Sequence, residues 1–211
     1  MRAVGRDEVL AAYNVSRETS EKLDRLVAEL ERWQRVKNLV GPGTLPNVWS
    51  RHIADSLQLL AICPHAPRWA DLGSGAGFPG LVVAASLPKS DDPVVHLIES
   101  NSRKCAFLRA ASRAIEAPAV VHEGRIASIA DSLAGKVDVV TARALAPLRT
   151  LIEWSRELLK MGALGLFPKG REVQSELTDA AKSWTFEADL IPSRTSAEAR
   201  IVLLRSVEER V

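Results

Sequence analysis

The stretch WADLGSGAGFPGL, residues 69–81, is the feature that most constrains how this chain folds. It opens with apolar residues typical of a buried strand, continues with a turn rich in glycine, and places Pro79 where a helix can begin. Glycine tolerates positive φ and close approach of a ligand, and proline suits a first helical turn because it lacks an N–H. A strand, a glycine-rich turn and a helix in this order are typical of sites for nucleotide-like cofactors.

Segments with the pattern of buried strands alternate with helical segments after residue 67. The predicted strands cover 68–72, 94–99, 119–124, 137–143 and 162–170, and two more near 185–191 and 200–205 read as a hairpin. The predicted helices between them cover 79–87, 102–115, 148–160 and 172–184. This alternation predicts an α/β fold of the Rossmann-like class, with a mostly parallel seven-stranded sheet and helices on both faces.

The first third of the chain predicts helices only. Residues 17–40 carry apolar side chains at helical spacing behind Ser16, a plausible N-cap, and a second helix is expected over 47–62. We therefore expect a helical N-terminal extension over residues 1–66 and a cofactor-binding domain over residues 67–211.

Composition excludes several classes of protein. The chain is 46% hydrophobic and 26% charged with a net charge of +2, so any nucleic-acid site must come from local clusters of charge. Its two cysteines, Cys63 and Cys105, form no CxxC motif, which argues against a zinc site or a disulfide framework. The sequence shows neither a signal peptide nor a long apolar run, so we expect a cytoplasmic protein that does not bind a membrane. We also expect no bound metal, and a monomer is favoured.

The glycine turn leaves two cofactors open. Gly75, Gly77 and Gly80 satisfy the GxGxxG fingerprint of NAD sites, and Glu99 ends the next strand, where a carboxylate can bind an adenosine ribose. Asp71 favours S-adenosylmethionine instead. An acid two residues before the first glycine resembles the first motif of Rossmann-like methyltransferases, where it helps hold the loop and the ammonium end of the cofactor.

Short sequence motifs around the glycine turn show a closer resemblance to one protein family. GSGAGFPGL (73–81) resembles the signature of the RsmG (GidB) family, bacterial 16S rRNA guanine-N7 methyltransferases. The same holds, in order, for NLV (38–40), RHIADSL (51–57), KCAFL (104–108), VDVVTARALAPL (137–148) and FPKG (167–170). The resemblance implies a class I methyltransferase fold, S-adenosyl-L-methionine as cofactor with S-adenosyl-L-homocysteine as product, and 16S rRNA or the small ribosomal subunit as substrate.

The resemblance also implies site residues. Gly73 and Phe78 would line the cofactor, Ile126 and Ala127 would lie by its adenine, and Arg143 would face it from the end of the fourth strand. Relatives usually carry an acid near the position of Ala127, so the adenine contact there must come from backbone or packing.

The chemistry fits the N7 atom of guanine without a catalytic base. The chain lacks the Asn/Asp-Pro-Pro-aromatic motif that serves exocyclic amines, and neither cysteine has an activating neighbour in sequence. The N7 lone pair is already nucleophilic, so alignment can carry the reaction. We therefore assign no catalytic residue, and Arg143 is the one candidate for a role beside the reacting atoms.

Clusters of basic residues without acids flank the predicted cofactor strands, in residues 32–54 and in the helix 102–115. They fit RNA phosphates, or equally the solvated face of a helix. His52 fits an RNA contact or a structural hydrogen bond with Asp55. Lys37 belongs to the first cluster, and the candidate RNA contacts are Arg32, Arg35, Arg51, His52, Arg103, Lys104, Arg109 and Lys169.

Two rival functions remain open at this stage. An NAD-dependent oxidoreductase is supported by the GxGxxG spacing and Glu99. A non-catalytic RNA-binding module on the same fold is supported by the basic clusters. Binding of the two cofactors separates the first from a methyltransferase, and transfer of labelled methyl to RNA separates the second.

Overall fold

The computed structural model describes residues 5–35, 39–41, 43–89 and 92–210 of the chain. Within them, seven strands form one sheet: β1 (Arg68–Leu72), β2 (Val94–Glu99), β3 (Ala119–Glu123), β4 (Val139–Thr141), β5 (Leu164–Lys169), β6 (Trp184–Pro192) and β7 (Arg200–Glu209). Their order is β3-β2-β1-β4-β5-β7-β6. The first five strands are parallel, and β7 runs antiparallel to both β5 and β6.

Eight α-helices lie in the described residues. They are α1 (Arg6–Ala12), α2 (Arg17–Gln34), α3 (Ala54–Ile62), α4 (Gly80–Ser86), α5 (Ser102–Ala114), α6 (Ile126–Ala130), α7 (Leu148–Lys160) and α8 (Val173–Ala180). A π-helical turn, Trp49–Ile53, leads directly into α3. None of these helices has the length and apolar character needed to cross a membrane.

The predicted α/β class and the order of strands and helices are confirmed, whereas several bounds differ. The expected helix 47–62 is α-helical only over Ala54–Ile62, the expected helix 172–184 is Val173–Ala180, and the expected strand 137–143 is Val139–Thr141. The expected helix 17–40 ends at Gln34, and Ser16 caps its start by accepting a hydrogen bond from Thr19 N at 3.1 Å. Helices α1 and α6 were not predicted, because they span only 7 and 5 residues and so carry too little periodicity.

The sheet buries a hydrophobic layer on each face, because successive side chains of a strand point to opposite sides. Trp69 and Leu97 belong to the layer under α4 and α5, whereas Ala70 and Ile98 belong to the layer under α6, α7 and α8. Helix α2 packs on α4 and α5 and places Leu23, Leu26 and Leu30 in the first layer. The helical extension thus shares its core with the sheet, and the boundary between residues 66 and 67 stays a prediction.

Candidate functional site

The loop after β1 follows a backbone course that requires glycine. Gly73, Gly75 and Gly77 have φ of +67°, +55° and +84°, in the left-handed region that side chains rarely adopt. A Cβ on Gly73 would lie 2.6 Å from Leu145 Cδ1, whereas a Cβ on Gly75 would meet nothing nearer than Gly73 O at 3.7 Å. Gly75 therefore presents bare backbone to open space.

Asp71 holds this loop from beneath. Its Oδ2 accepts a hydrogen bond from Gly80 N at 3.0 Å, which fixes the start of α4. The residue is buried, and burial raises the pKa of its carboxyl from 3.8 to about 7, while its Oδ1 finds no partner among the described residues. Asp71 thus supports the glycine loop through Gly80.

Glu99 joins the glycine loop to the loop after β2. Its Oε2 accepts from Gly75 N at 3.0 Å and its Oε1 accepts from Asn101 N at 2.9 Å. Asn101 in turn caps α5 by accepting from Arg103 N and Lys104 N. Because each carboxylate oxygen can accept a second hydrogen bond, Glu99 retains acceptor capacity toward a ligand.

A cavity of about 890 Å³ opens beside this pair of loops. It brings together most of the predicted cofactor residues: Gly73, Gly75, Glu99, Ile126, Ala127 and Arg143. Its remaining wall comes from residues that the sequence did not single out for a cofactor: Ile98, Ser100, Lys104, Gly124, Arg125, Ala144, Leu145 and Trp154.

Three predicted cofactor contacts do not line this cavity, and one predicted RNA contact does. Asp71 lies under the loop, and a Cβ on Gly77 would run into the Leu81 side chain of α4. Phe78 is buried, with its ring stacked on His52 at 4.8 Å between centroids. Lys104, assigned to RNA from the sequence, lines this cavity because the first turn of α5 reaches the same sheet edge.

Arg143, just after β4, connects the sheet to the helical extension. Its Nη2 donates to His52 Nδ1 at 2.6 Å, and its Nη1 lies 3.1 Å from Arg51 O and 3.4 Å from Asp55 Oδ2. Of the two alternatives for His52, the hydrogen bond with Asp55 is wrong, because Asp55 instead accepts from Gln58 Nε2 at 2.7 Å and Thr195 Oγ1 at 2.9 Å. Burial, followed by the charges of Arg143 and Arg51, lowers the pKa of His52 to about 4.

A second cavity, of about 1330 Å³, adjoins the first and shares Arg143, Ala144 and Leu145 with it. The helical extension contributes Arg51, His52 and Asp55 to its wall. The other walls come from the 143–147 segment, the end of β5 and the 193–201 segment. This cavity therefore lies between the helical extension and the carboxyl edge of the sheet.

Apart from Lys104, the predicted RNA contacts divide into three groups. Arg51, His52 and Lys169 line the second cavity. The Lys169 ammonium is already engaged within the protein, since its Nζ lies 2.7 Å from Glu176 Oε2 and donates to Ala146 O at 2.7 Å. Arg32 and Arg109 lie outside both cavities in ion pairs with Glu29 and Glu123. Arg35 and Arg103 are exposed outside both cavities, and Lys37 lies outside the described residues.

Sequence reasoning missed Arg194 and Arg200 of the second cavity. The signal was present in the segment PSRTSAEAR, residues 192–200, between two predicted strands. The segment reaches the second cavity because of the strand order, in which β7 lies next to β5 and pairs Arg200 with Lys169. Among the residues described, no group of three or more His, Cys, Asp or Glu side chains is placed to hold a metal ion.

Comparison with known proteins identifies close relatives over nearly the whole chain. The family profile described as GidB, rRNA small subunit methyltransferase G, matches residues 19–201. A ribosomal RNA small subunit methyltransferase G from Methylobacterium nodulans is 59% identical over 208 residues, covering 98% of each chain. One of the same name from Methylorubrum populi is 55% identical over 202 residues, covering 96% of this chain and 95% of the relative.

Solved structures share the fold at low sequence identity. An O-methyltransferase from Bacillus cereus in complex with SAH aligns with a TM-score of 0.58 at 13% identity, covering 86% of this chain and 90% of that one. The O-methyltransferase TomG from Streptomyces achromogenes in complex with SAM aligns with a TM-score of 0.57 at 15% identity, covering 90% of each. At these identities the likeness concerns the fold, which is that of methyltransferases.

Proposed function

Since the chain belongs to the GidB family of rRNA small subunit methyltransferases, we propose that it transfers a methyl group from S-adenosylmethionine to N7 of a guanine in the small-subunit rRNA. The observation that carries the proposal is the pair of adjoining cavities. One lies against the glycine loop and the other among basic side chains, and the two share the wall Arg143–Leu145. Two ligands that exchange a methyl group must meet, and this wall is where their cavities adjoin.

The first cavity fits S-adenosylmethionine by its donors and acceptors. The backbone at Gly73 and Gly75 comes close to a ligand without a Cβ, and Glu99 offers carboxylate oxygens to the ribose hydroxyls. Ile126 and Ala127 supply the surface for an adenine. Asp71 contributes indirectly, because its hydrogen bond with Gly80 N fixes the conformation of the glycine loop.

The residues of the shared wall orient the ligands rather than move protons. S-adenosylmethionine would supply a methyl group on a positively charged sulfur, and the in-plane lone pair of guanine N7 would accept that methyl as the sulfur–carbon bond breaks and S-adenosylhomocysteine leaves. No proton leaves N7, so no general base is needed, and alignment can lower a barrier by roughly 7–11 kcal/mol. Arg143 contributes by fixing the π-helical turn and α3 against the end of β4.

Both rival functions are weaker than the proposal. The spacing that suggested NAD lies in a chain whose relatives are named methyltransferases. A non-catalytic RNA-binding module would leave the cofactor cavity and its Glu99 clamp without a use. Calorimetry with S-adenosylhomocysteine and with NAD tests the first rival, since only the former is expected to bind.

The decisive experiment is methyl transfer to small ribosomal subunits purified from cells that lack this protein. We expect labelled methyl from S-adenosylmethionine to enter the RNA, and strand scission at N7-methylguanine to map it to a guanine. Subunits from cells that contain the protein are the control and should accept little label. Label on another atom or base, or the absence of transfer, would contradict the proposal.

A further inference from the structure

His52 and Arg143 meet where the two cavities adjoin. Arg143 lines both cavities, His52 lines the second, and Arg143 Nη2 lies 2.6 Å from His52 Nδ1. The imidazole ring is stacked on Phe78 with an interplanar angle of 17°. The ring is thus held in one plane at the border between the first and the second cavity.

The contact with Arg143 fixes which nitrogen of His52 carries the proton. A guanidinium group only donates, so Nδ1 must accept, and the proton of the neutral ring must lie on Nε2. The pKa of His52, lowered to about 4, keeps the ring neutral at physiological pH. His52 is nine-tenths buried, and its Nε2 has no hydrogen-bond partner among the described residues. A buried donor without an acceptor is rare, and because His52 lines the second cavity, a ligand bound there can supply the acceptor.

Guanine offers an acceptor where such a donor lies. Along the edge that carries N7, guanine presents the acceptors N7 and O6, whereas adenine presents N7 and an amino group that donates. N7 must keep its lone pair free to accept the methyl group, so O6 is the acceptor left for the protein. Resting on the function proposed above, we propose that His52 Nε2–H donates a hydrogen bond to O6 of the target guanine and thereby selects guanine over adenine.

The surroundings of His52 agree with this role. Both terminal nitrogens of Arg143 are engaged with His52, Asp55 and Arg51 O, so this cation does not compete for N7. Nε2 is shielded from solvent, so its contact with the base requires side chains of the cavity wall to change rotamer, as interface side chains commonly do on binding.

The test replaces single atoms of the target base and of His52 together. Substrate RNA, naked or assembled as turnover requires, carries guanine, inosine or 2-aminopurine at the mapped position. Inosine keeps O6 and N7, whereas 2-aminopurine keeps N7 and lacks O6. The variants are His52→Asn, whose amide lies near the position of Nδ1, and His52→Gln, whose amide reaches the position of Nε2. The readout is kcat/KM on each substrate, with binding of S-adenosylhomocysteine and circular dichroism to verify folding.

For the wild type we expect similar kcat/KM on guanine and inosine and a loss of about tenfold or more on 2-aminopurine. His52→Asn should be slower on guanine and should show much less sensitivity to the loss of O6. His52→Gln should recover part of that sensitivity. If His52 acts only through Arg143, its replacement should lower kcat/KM on all three substrates by the same factor.

Two outcomes would overturn the inference while leaving the proposed function intact. One is equal wild-type kcat/KM on guanine and 2-aminopurine, which requires no variant to fold. The other is an equal guanine to 2-aminopurine ratio in the wild type and both variants. A wild-type protein that leaves N7 of the guanine unmethylated would instead overturn the function itself, and this inference with it.

Discussion

At the scale of single residues, a side chain at position 75 should affect ligand binding much more than folding. A side chain there costs about 1–2 kcal/mol because φ is +55°, yet its Cβ meets no protein atom closer than 3.7 Å. The same side chain would stand where Gly75 lines the cofactor cavity. We expect Gly75→Val to abolish binding of S-adenosylmethionine in calorimetry while thermal unfolding stays cooperative.

Gly135 provides the matched control for this substitution. Its φ is +72°, its nearest neighbour to a Cβ would be Met161 Cε at 3.6 Å, and it lines neither cavity. Gly135→Val should therefore cost similar backbone strain and leave the affinity for S-adenosylmethionine unchanged. Wild-type affinity in Gly75→Val would remove the glycine loop from the cofactor site.

The raised pKa of Asp71 leads to a prediction about how the free energy of unfolding depends on pH. Because its pKa rises from 3.8 in an ordinary setting to about 7 in the fold, the folded state binds the proton more tightly than the unfolded state. Its contribution is most favourable at low pH and is lost as pH rises toward 7, by at most about 1.4 kcal/mol per pH unit. Asp71→Asn cannot titrate and lacks this loss.

Denaturant unfolding without cofactor, from pH 5 to pH 8, tests the sign. The free energy of unfolding of Asp71→Asn minus that of the wild type should rise as pH increases and level off above pH 7. Subtracting the wild type removes the titration of the other carboxyl groups. A difference that is flat across this range would mean that Asp71 is ionised in the fold at an ordinary pKa, and one that falls with pH would contradict the sign of the predicted shift.

At the scale of elements, Glu99 couples the loops that follow β1 and β2. Both of its oxygens accept backbone N–H groups, from Gly75 and Asn101. In Glu99→Gln an NH₂ group must face one of these donors, so the loops separate. We expect S-adenosylmethionine and S-adenosylhomocysteine, which share the ribose, to lose about 1–3 kcal/mol of binding free energy alike in calorimetry.

Glu123, at the end of the neighbouring strand β3, is the control for this change. Its carboxylate pairs with Arg109 at 3.1 Å and lines neither cavity, so Glu123→Gln removes the same charge without touching the glycine loop. That variant should bind both ligands as the wild type does. A loss in Glu99→Gln confined to one of the two ligands would contradict a ribose contact.

The elements of the sheet were predictable because buried parallel strands are continuous apolar runs bounded by turn residues. β1 and β2 have the predicted bounds, and α5 ends one residue before the predicted one. Helix α1 was not predictable, because long-range contacts hold it, such as Arg6 Nε to Asp24 Oδ1 at 2.7 Å. The partners of Arg143 escaped prediction for the same reason, since Arg51 lies 92 positions away along the chain.

At the scale of the whole molecule, sheet order decides which basic residues belong together. The carboxyl ends of the parallel strands place Glu99 and Arg143 at one edge, and the antiparallel β7 brings Arg200 beside Lys169 at the end of β5. Basic residues far apart in sequence, Arg51 and Arg194, thereby line one cavity. The acid-free runs of sequence were a poorer guide, since Arg32 pairs with Glu29 one helical turn before its run and Arg109 pairs with Glu123 of β3.

This arrangement predicts which charges bind the RNA. Arg51 and Arg194 are exposed, line the second cavity and form no ion pair with the described residues. Each phosphate contact that is removed should flatten the slope of log affinity against log salt concentration by about one unit. We expect Arg51→Ala plus Arg194→Ala to flatten the slope by about two units and to slow methylation at limiting RNA. Affinity for S-adenosylmethionine should stay unchanged, since the Arg51 carbonyl that Arg143 contacts is retained.

The double variant Arg32→Ala plus Arg109→Ala removes the same net charge from paired positions outside both cavities and is the matched control. Because Glu29 and Glu123 already offset these two cations, and because bound counterions are released only where phosphates lie close, its salt slope should match that of the wild type. Measuring RNA affinity at several salt concentrations for the three proteins decides the matter. Equal flattening in both double variants would show that net charge alone attracts the RNA, and a flattened slope in the control alone would move the RNA surface to α2 and α5.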